Sequence, residues 1–431
     1  MTATLEDKVG RKVLWRLVLP CALFILLGAV DRTNVGFAAL QMNAALGFSG
    51  AQFGFGAGIL FMGYVAANYP SVLLYERIGM RHWLALITFV WAVAAMAMAF
   101  IADALQFYAL RVVIGLAEGG LASGIMLYLS HWASERYRAS VLAIPIGAIF
   151  IAQIVSAPVS GWLLQVRNPL GLEGWRWMFL VEGFPALILA VFAWLHFPSA
   201  PDDARWLSTD ERTWLAANVN GAARPVQGQR DRWRALANPI TWVSSGIWFG
   251  LLAGNYGVMF WLPQVVRGMA GLTPVEVGFV VSLPWLGAAA ALVLNARHSD
   301  RRQERFLHIA VPSAVAAVAL LGAYGAGGGL LGLLALVVGG ACLGSTVAPF
   351  WAIPTKLLPP RSVATGIVAI NIIGSMAGVT VPGIMGLLTD RSGSYLPATA
   401  LLSGLIVAAS FLCLLGRSLQ HRIDRAPRAG S

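Results

Sequence analysis

Charge is scarce in this chain. Only 11% of its 431 residues are Asp, Glu, Lys or Arg, while 58% are hydrophobic; a soluble domain carries about 25% charged residues. A water-soluble fold of that composition would expose apolar surface on every side, so lipid is the solvent to reason from. That disfavours a soluble enzyme, a nucleic-acid module and a disordered tail protein. Cysteine is scarce too. Cys21, Cys342 and Cys413 all lie in apolar runs and none stands at metal-ligand spacing, so neither a disulfide framework nor a zinc site follows. Histidine is absent from the core of every apolar run, with His82 and His131 in loops. An enzyme embedded in the membrane would need paired ligands or a nucleophile and base there.

What the chain does have is apolar length. A helix needs about 20 apolar residues to cross the hydrocarbon. Twelve runs qualify: 14–40, 52–75, 82–102, 104–129, 139–165, 177–197, 238–266, 274–296, 306–324, 329–352, 362–388 and 395–416. Lys8, Arg11, Lys12 and Arg16 ahead of the first look like a signal-peptide n-region, but the run is too long and no cleavage site follows before Asp31, so this span is expected to be retained. With both termini cytoplasmic, that side holds 24 Lys and Arg and the other side 4, namely Arg167, Arg176, Arg267 and Arg391. This positive-inside bias accounts for the net charge of +11 without nucleic acid.

The expected fold class is an all-α membrane protein with twelve transmembrane helices in two pseudo-symmetric six-helix bundles. The first bundle covers 1–198 and the second 238–417. A cytoplasmic linker, 199–237, joins them, with Ser208-Thr209-Asp210-Glu211 as a capping box opening a short surface helix. Residues 418–431 form a basic cytoplasmic tail. The halves also share a loop pattern. Glu76-Arg77-Ile78-Gly79-Met80-Arg81 and Ser299 to Arg305 each place an acid, an Arg and another Arg four residues on, at an offset of 224 residues. The same offset carries Asp31 to Asn255. Such duplication points to a transporter with its site between the halves, near the midplane. The glycine runs at 54–58 and 325–329 follow no strand, so they are read as places of close helix approach rather than nucleotide loops.

Against this background four charges stand out within spans: Asp31, Arg32, Arg111 and Glu118. Each costs about 2.5–3.5 kcal/mol at mid-membrane, or about 10–14 kcal/mol for the set if uncompensated. They must pair or line water. Arg111 and Glu118 are seven apart, on one helix face but too far apart to bond, while Asp31 and Arg32 point about 100° apart. The expected arrangement pairs Asp31 with Arg111 and leaves Arg32 facing a cavity, where its planar fork of donors suits a carboxylate. Glu118, without a fixed cation, is expected to be neutral and able to exchange a proton. Tyr64, Asn68, Gln153, Trp351 and Asn371 are candidate lining residues, each as readily explained as packing glue. Glu182 is read as compensation of a helix dipole near the start of the sixth span.

These residues resemble the anion:cation symporter family of the major facilitator superfamily, through nearly all of 10–417. The resemblance rests on Asp31-Arg32-Thr33-Asn34-Val35-Gly36-Phe37-Ala38 in the first span and Arg111-Val112-Val113-Ile114-Gly115-Leu116-Ala117-Glu118-Gly119-Gly120 in the fourth. Gly174-Trp175-Arg176-Trp177-Met178-Phe179 and Ala204-Arg205-Trp206-Leu207-Ser208 are also similar. It implies alternating access and proton-coupled uptake of a small organic carboxylate such as a sugar acid or aromatic acid. Arg32 would bind the substrate carboxylate, Asp31 and Glu118 would carry the proton, and Arg111 would belong to their charge network. Tyr64, Gln153, Trp351 and Asn371 would contact substrate. The resemblance further implies no cofactor beyond the proton gradient, a monomer in a bacterial inner membrane, and no nucleic-acid partner. The chain departs from the pattern at Glu76, where the superfamily usually has Asp, at Val72, where it has Gly, and at Ser123, where many members have Pro.

Two other functions compete. A proton-driven efflux antiporter is the alternative within transport, with Ala157-Pro158-Val159-Ser160-Gly161 as a weak echo of an antiporter element; Arg32 argues against a cationic drug as cargo. A sensor that binds without transporting would need a signalling extension, which the 14-residue tail does not offer.

Overall fold

The computed structural model describes residues 4–167, 170–219, 229–326, 329–359 and 361–425. Residues 220–228 of the expected linker, 327–328 of the second glycine run and 426–431 of the expected tail lie outside the described residues.

Lipid offers no partner to a backbone N–H or C=O, so a spanning segment must satisfy both internally, and the elements are helices. They are α1 (Leu5–Val13), α2 (Leu19–Leu46), α3 (Gly50–Ala97), α4 (Ala104–Glu118), α5 (Leu121–Ser130), α6 (Glu135–Leu163), α7 (Gly174–His196), α8 (Thr209–Asn218), α9 (Gln229–Ala237) and α10 (Pro239–Ala270). They continue with α11 (Pro274–Arg302), α12 (Leu307–Gly325), α13 (Leu330–Ser345), α14 (Val347–Leu357), α15 (Val363–Ser392) and α16 (Leu396–Arg425). Ten stretches are long and apolar enough to cross a membrane. One of them, Gly50–Phe100, is two helices meeting at Gly79, and α10 is a further helix of 32 residues whose apolar run Asn255 and Tyr256 interrupt. The described residues thus supply twelve spans, as the apolar runs require.

Boundaries differ from expectation in instructive places. The first helix begins at Leu5 rather than 14, because Thr4 and Asp7 form a capping box and a π-helical turn at Leu14–Val18 carries α1 into α2. The expected loop at 76–81 shrinks to a break at Gly79, whose φ of 77° is left-handed and costs glycine nothing. Exactly 224 residues is also the offset from Gly79 to Gln303, the one non-glycine residue with positive φ among those described, at 52°. The duplicated loops therefore share a backbone turn as well as charges.

The helices pack as two compact units, Met1–Gln41 with Ile59–Arg224, and Met42–Gly58 with Pro225–Ser431. In the first, Phe24, Trp83, Tyr128, Trp132 and Phe197 form the centre of the apolar core. Phe89, Leu105, Trp194 and Leu195 stay exposed, as side chains facing lipid should. Its linker portion is anchored: α8 has the Ser208–Glu211 capping box, and Lys12 of α1 reaches Glu211 at 2.7 Å and the Trp206 carbonyl at 3.1 Å.

In the second unit, Trp248, Phe350, Ile247, Phe306 and Ile309 form the core, while Val318, Leu330 and Phe411 are exposed. This unit takes in the start of α3. Asp390 caps it, accepting the Gly50 and Ala51 N–H groups at 2.7 and 2.8 Å. Gly54 runs so close to α15 that a Cβ there would stand 2.1 Å from the Pro382 carbonyl.

Candidate functional site

Five helices of the first unit, α2, α3, α4, α6 and α7, bring ionisable and polar groups together in its interior. Successive residues of α2 turn about 100° apart, so Asp31, Arg32, Thr33 and Asn34 serve different neighbours. Arg32 reaches α4. Its Nε lies 2.7 Å from Glu118 Oε2, and the Glu118 side chain is fully buried while that of Arg32 keeps 23% of its surface. The expectation of a Glu118 without a fixed cation is therefore corrected. A carboxylate closed off from water needs a partner, and Arg32 is the guanidinium α2 turns towards it. The Arg32 guanidinium also sits 5.3 Å from the centre of the Tyr64 ring on α3, a cation–π contact.

Asp31 and Arg111 are both buried. Arg111 is the strongest favourable charge acting on Asp31. Asn34 Nδ2 donates to Asp31 Oδ1 at 3.5 Å, and the Trp91 indole lies beside the same carboxyl. Thr33 turns the other way, its hydroxyl 2.8 Å from the Ala29 carbonyl and 2.6 Å from Gln153 Oε1 on α6. Gln153 thus holds α2 to α6 by a buried contact.

Local chain chemistry puts Glu118 where it is. The expected fourth span is two helices, α4 ending at Glu118 and α5 beginning at Leu121, so the acid sits at a helix end within the membrane. Gly119 allows the break to lie against α3, since a Cβ there would meet the Tyr64 carbonyl at 2.4 Å. Asn68 Nδ2 donates to the Gly119 carbonyl at 2.7 Å, satisfying a group the break frees. Asn68 is therefore a helix-break partner.

Glu182 escaped the sequence. It was placed near a helix start, but α7 begins at Gly174, so Glu182 is its ninth residue. The dipole acts within the first turn and does not explain it. Its Oε1 accepts the Ser160 hydroxyl of α6 at 2.7 Å, and Asn34 and Asp31 are its other polar neighbours. The signal that would have found it is Gly174-Trp175, which starts the helix three residues before the apolar run at 177.

Asp31, Arg32, Tyr64, Arg111 and Glu118 thus come together, with Gln153 one contact away. Trp351 and Asn371 belong to the second unit. Trp351 is half-buried, edge-on to Trp248 at 5.0 Å and to Phe350 at 5.1 Å. Asn371 is exposed on α15. Among the described residues no group of His, Cys, Asp and Glu has metal-site geometry.

Comparison with known proteins fits this geometry. Residues 21–382 match the Major Facilitator Superfamily. A putative tartrate transporter of Agrobacterium vitis is 38% identical over 96% of this chain and 96% of its own. A quinolone resistance transporter of Acinetobacter baumannii is 31% identical over 97% of this chain and 98% of its own. Among solved structures, the inward-facing, occupied form of a bacterial homologue of the human lysosomal transporter Spinster superposes with a TM-score of 0.76 at 16% identity, over 96% of this chain and 97% of that one.

Proposed function

The chain belongs to the major facilitator superfamily, and from that premise we propose that it is a proton-coupled symporter taking up a small organic carboxylate. That it is an integral membrane transporter of a small molecule, and not an enzyme, follows from the family and the relatives. The carboxylate and the proton are the further step. The observation that carries it is the 2.7 Å bond between partly exposed Arg32 and fully buried Glu118.

A guanidinium fork binds a carboxylate well, and here Glu118 occupies it. A substrate carboxylate and the Glu118 carboxylate compete for Arg32. Protonating Glu118 removes its charge and frees the fork for substrate. Release of substrate lets Arg32 stabilise the Glu118 carboxylate again, and the proton leaves to water. Proton and carboxylate then bind together and leave together, which is symport. Asp31 and Arg111 hold the neighbouring charges in balance, and Tyr64 steadies the guanidinium. From the second unit, Trp351 and Asn371 are assigned to substrate contact. The tartrate relatives support a small carboxylate as cargo. The gradient that drives the cycle is the proton gradient, in a bacterial inner membrane with both termini cytoplasmic, and the monomer is the working unit.

The test is proteoliposomes loaded with a pH dye and offered sugar acids, aromatic acids and dicarboxylates in turn. Internal acidification with one carboxylate is expected. Silence across the panel, from folded protein, overturns the carboxylate symport reading. The quinolone resistance relative favours a second reading, a proton-driven efflux antiporter. It is distinguished by direction: an inward proton gradient would then empty the vesicles of cargo facing the antiport side.

A further inference from the structure

Glu182 is a buried acid that the cycle above leaves unused. Its Oε1 accepts the Ser160 hydroxyl at 2.7 Å, and its Oε2 is buried with no hydrogen-bond partner. The groups facing it are few. From α6 there is Ser160, and from α2 there are Asn34 and Asp31. On the α3 side, the adjacent Gly183 packs against Met96 and the Ala92 carbonyl. No Lys, Arg or His among the described residues pairs with it.

Two kinds of accounting then agree. The first is charge. Arg32 bonds Glu118, and Arg111 acts chiefly on Asp31. Two guanidinium groups already balance two carboxylates, and a third carboxylate would add an uncompensated charge where charge is most expensive. The second is hydrogen bonding. Asp31 Oδ2, Asn34 Oδ1 and Glu182 Oε2 are all buried oxygens without a donor, and buried acceptors of that kind call for an explanation. A carboxylic O–H on Glu182 supplies a donor. It can point at Asn34 Oδ1, while Asn34 Nδ2 stays turned to Asp31 Oδ1 at 3.5 Å. The neutral acid, the amide and the aspartate then form one directed chain across α7 and α2.

We propose that Glu182 is a third proton-binding carboxyl of the first unit, protonated in this arrangement and linked through Asn34 to Asp31. It rests on the proton-coupled reading in that it adds a carrier to that cycle. The proton arrives from and returns to water, and no bond but the O–H changes.

The test is infrared difference spectroscopy of the full-length purified protein in lipid, without substrate. A protonated-carboxyl C=O stretch is expected at neutral pH, lost in Glu182→Gln and kept in Glu118→Gln. Absence of the band from the wild-type protein, or its survival in Glu182→Gln, overturns the proposal and leaves Glu182 an ionised, hydrated acid. Should Glu182→Gln fail to fold, Ser160→Ala keeps the carboxyl and removes its hydroxyl donor. The band should then move to higher frequency, and an unmoved band overturns the assignment. Because no transport is measured, failure here is separate from failure of the symport reading, which the vesicles decide.

Discussion

Asp31, Arg111 and Glu118 are buried inside the first unit, whereas the buried polar side chains described in the second are serines and threonines throughout. Many of those hydroxyls bond to backbone carbonyls. Ser245 and Thr346 do so within their own helix or turn, while Ser403 and Ser410 reach across to Ala317 and Ala310 of α12. Hydroxyl-to-carbonyl bonds carry no net charge and have no second state near neutral pH. Ion pairs do, because one proton rewrites them. The two units share a turn geometry at Gly79 and Gln303, yet the position in the second that corresponds to Asp31 is Asn255. The turn recurs in both units, while buried charge is confined to the first among the described residues; on the proposed cycle that charge is what switches.

The largest effect expected from breaking this contrast is at Arg32. Arg32→Ala leaves Glu118 buried without its cation, a change worth about 3–5 kcal/mol. Substrate affinity should fall by about 100-fold or more, as binding to purified protein would read. Unchanged affinity would remove Arg32 from the substrate and the contrast with it. Next in size is Glu118→Gln, which keeps shape and removes the exchangeable proton. Accumulation driven by a pH gradient should vanish while exchange of substrate down its own gradient persists. If accumulation survives, coupling lies with Asp31 or Glu182.

Much of this was legible beforehand, and the reasons for the rest are physical. Apolar runs mark spans because lipid admits nothing else, and charges inside such runs announce themselves by their cost. Ser208 to Glu211 gave α8 because a capping box is local chemistry. Which helix faces which is not local. The sequence names Arg32 and Glu118 but leaves Glu118 without a cation, since nothing in either segment states that α2 turns residue 32 towards α4. A start three residues too late moves Glu182 from the third turn of α7 to its second, near enough to the helix start to suggest a dipole. Asn68 reads equally as a lining residue or as packing glue because the break at Gly119 that it serves is invisible in an apolar run.

The second unit should answer more mildly. Trp351→Ala removes one edge-on ring from a cluster with Trp248 and Phe350. An aromatic contact is worth about 0.5–1.5 kcal/mol, so KM for substrate should rise about 2–10-fold with proton coupling intact. Loss of coupling in this variant would break the division between the units, because an uncharged side chain would then be governing the proton.

The smallest effect sharpens the contrast from outside the membrane. Burial works against the charge of Glu211, but the Lys12 ammonium at 2.7 Å and the Ser208 N–H and hydroxyl outweigh it, holding the carboxyl below its ordinary value. A depressed acid stabilises the fold fully above its unfolded value, about 4.3, and that contribution is lost as pH falls through the folded value. Lys12 is 41% exposed, so water and salt screen the pair and it is worth less than about 1 kcal/mol. Glu211→Gln should therefore lower the Tm slightly at pH 7 and leave it equal to wild type in acid. An equal loss at both pH values would mean that packing of α8, not charge, ties the linker to α1. The two pairs differ in where they sit. Glu211 lies outside the membrane, whereas the Glu118 side chain is sealed from water and, on the proposed cycle, would answer bulk pH only when that cycle opens a path.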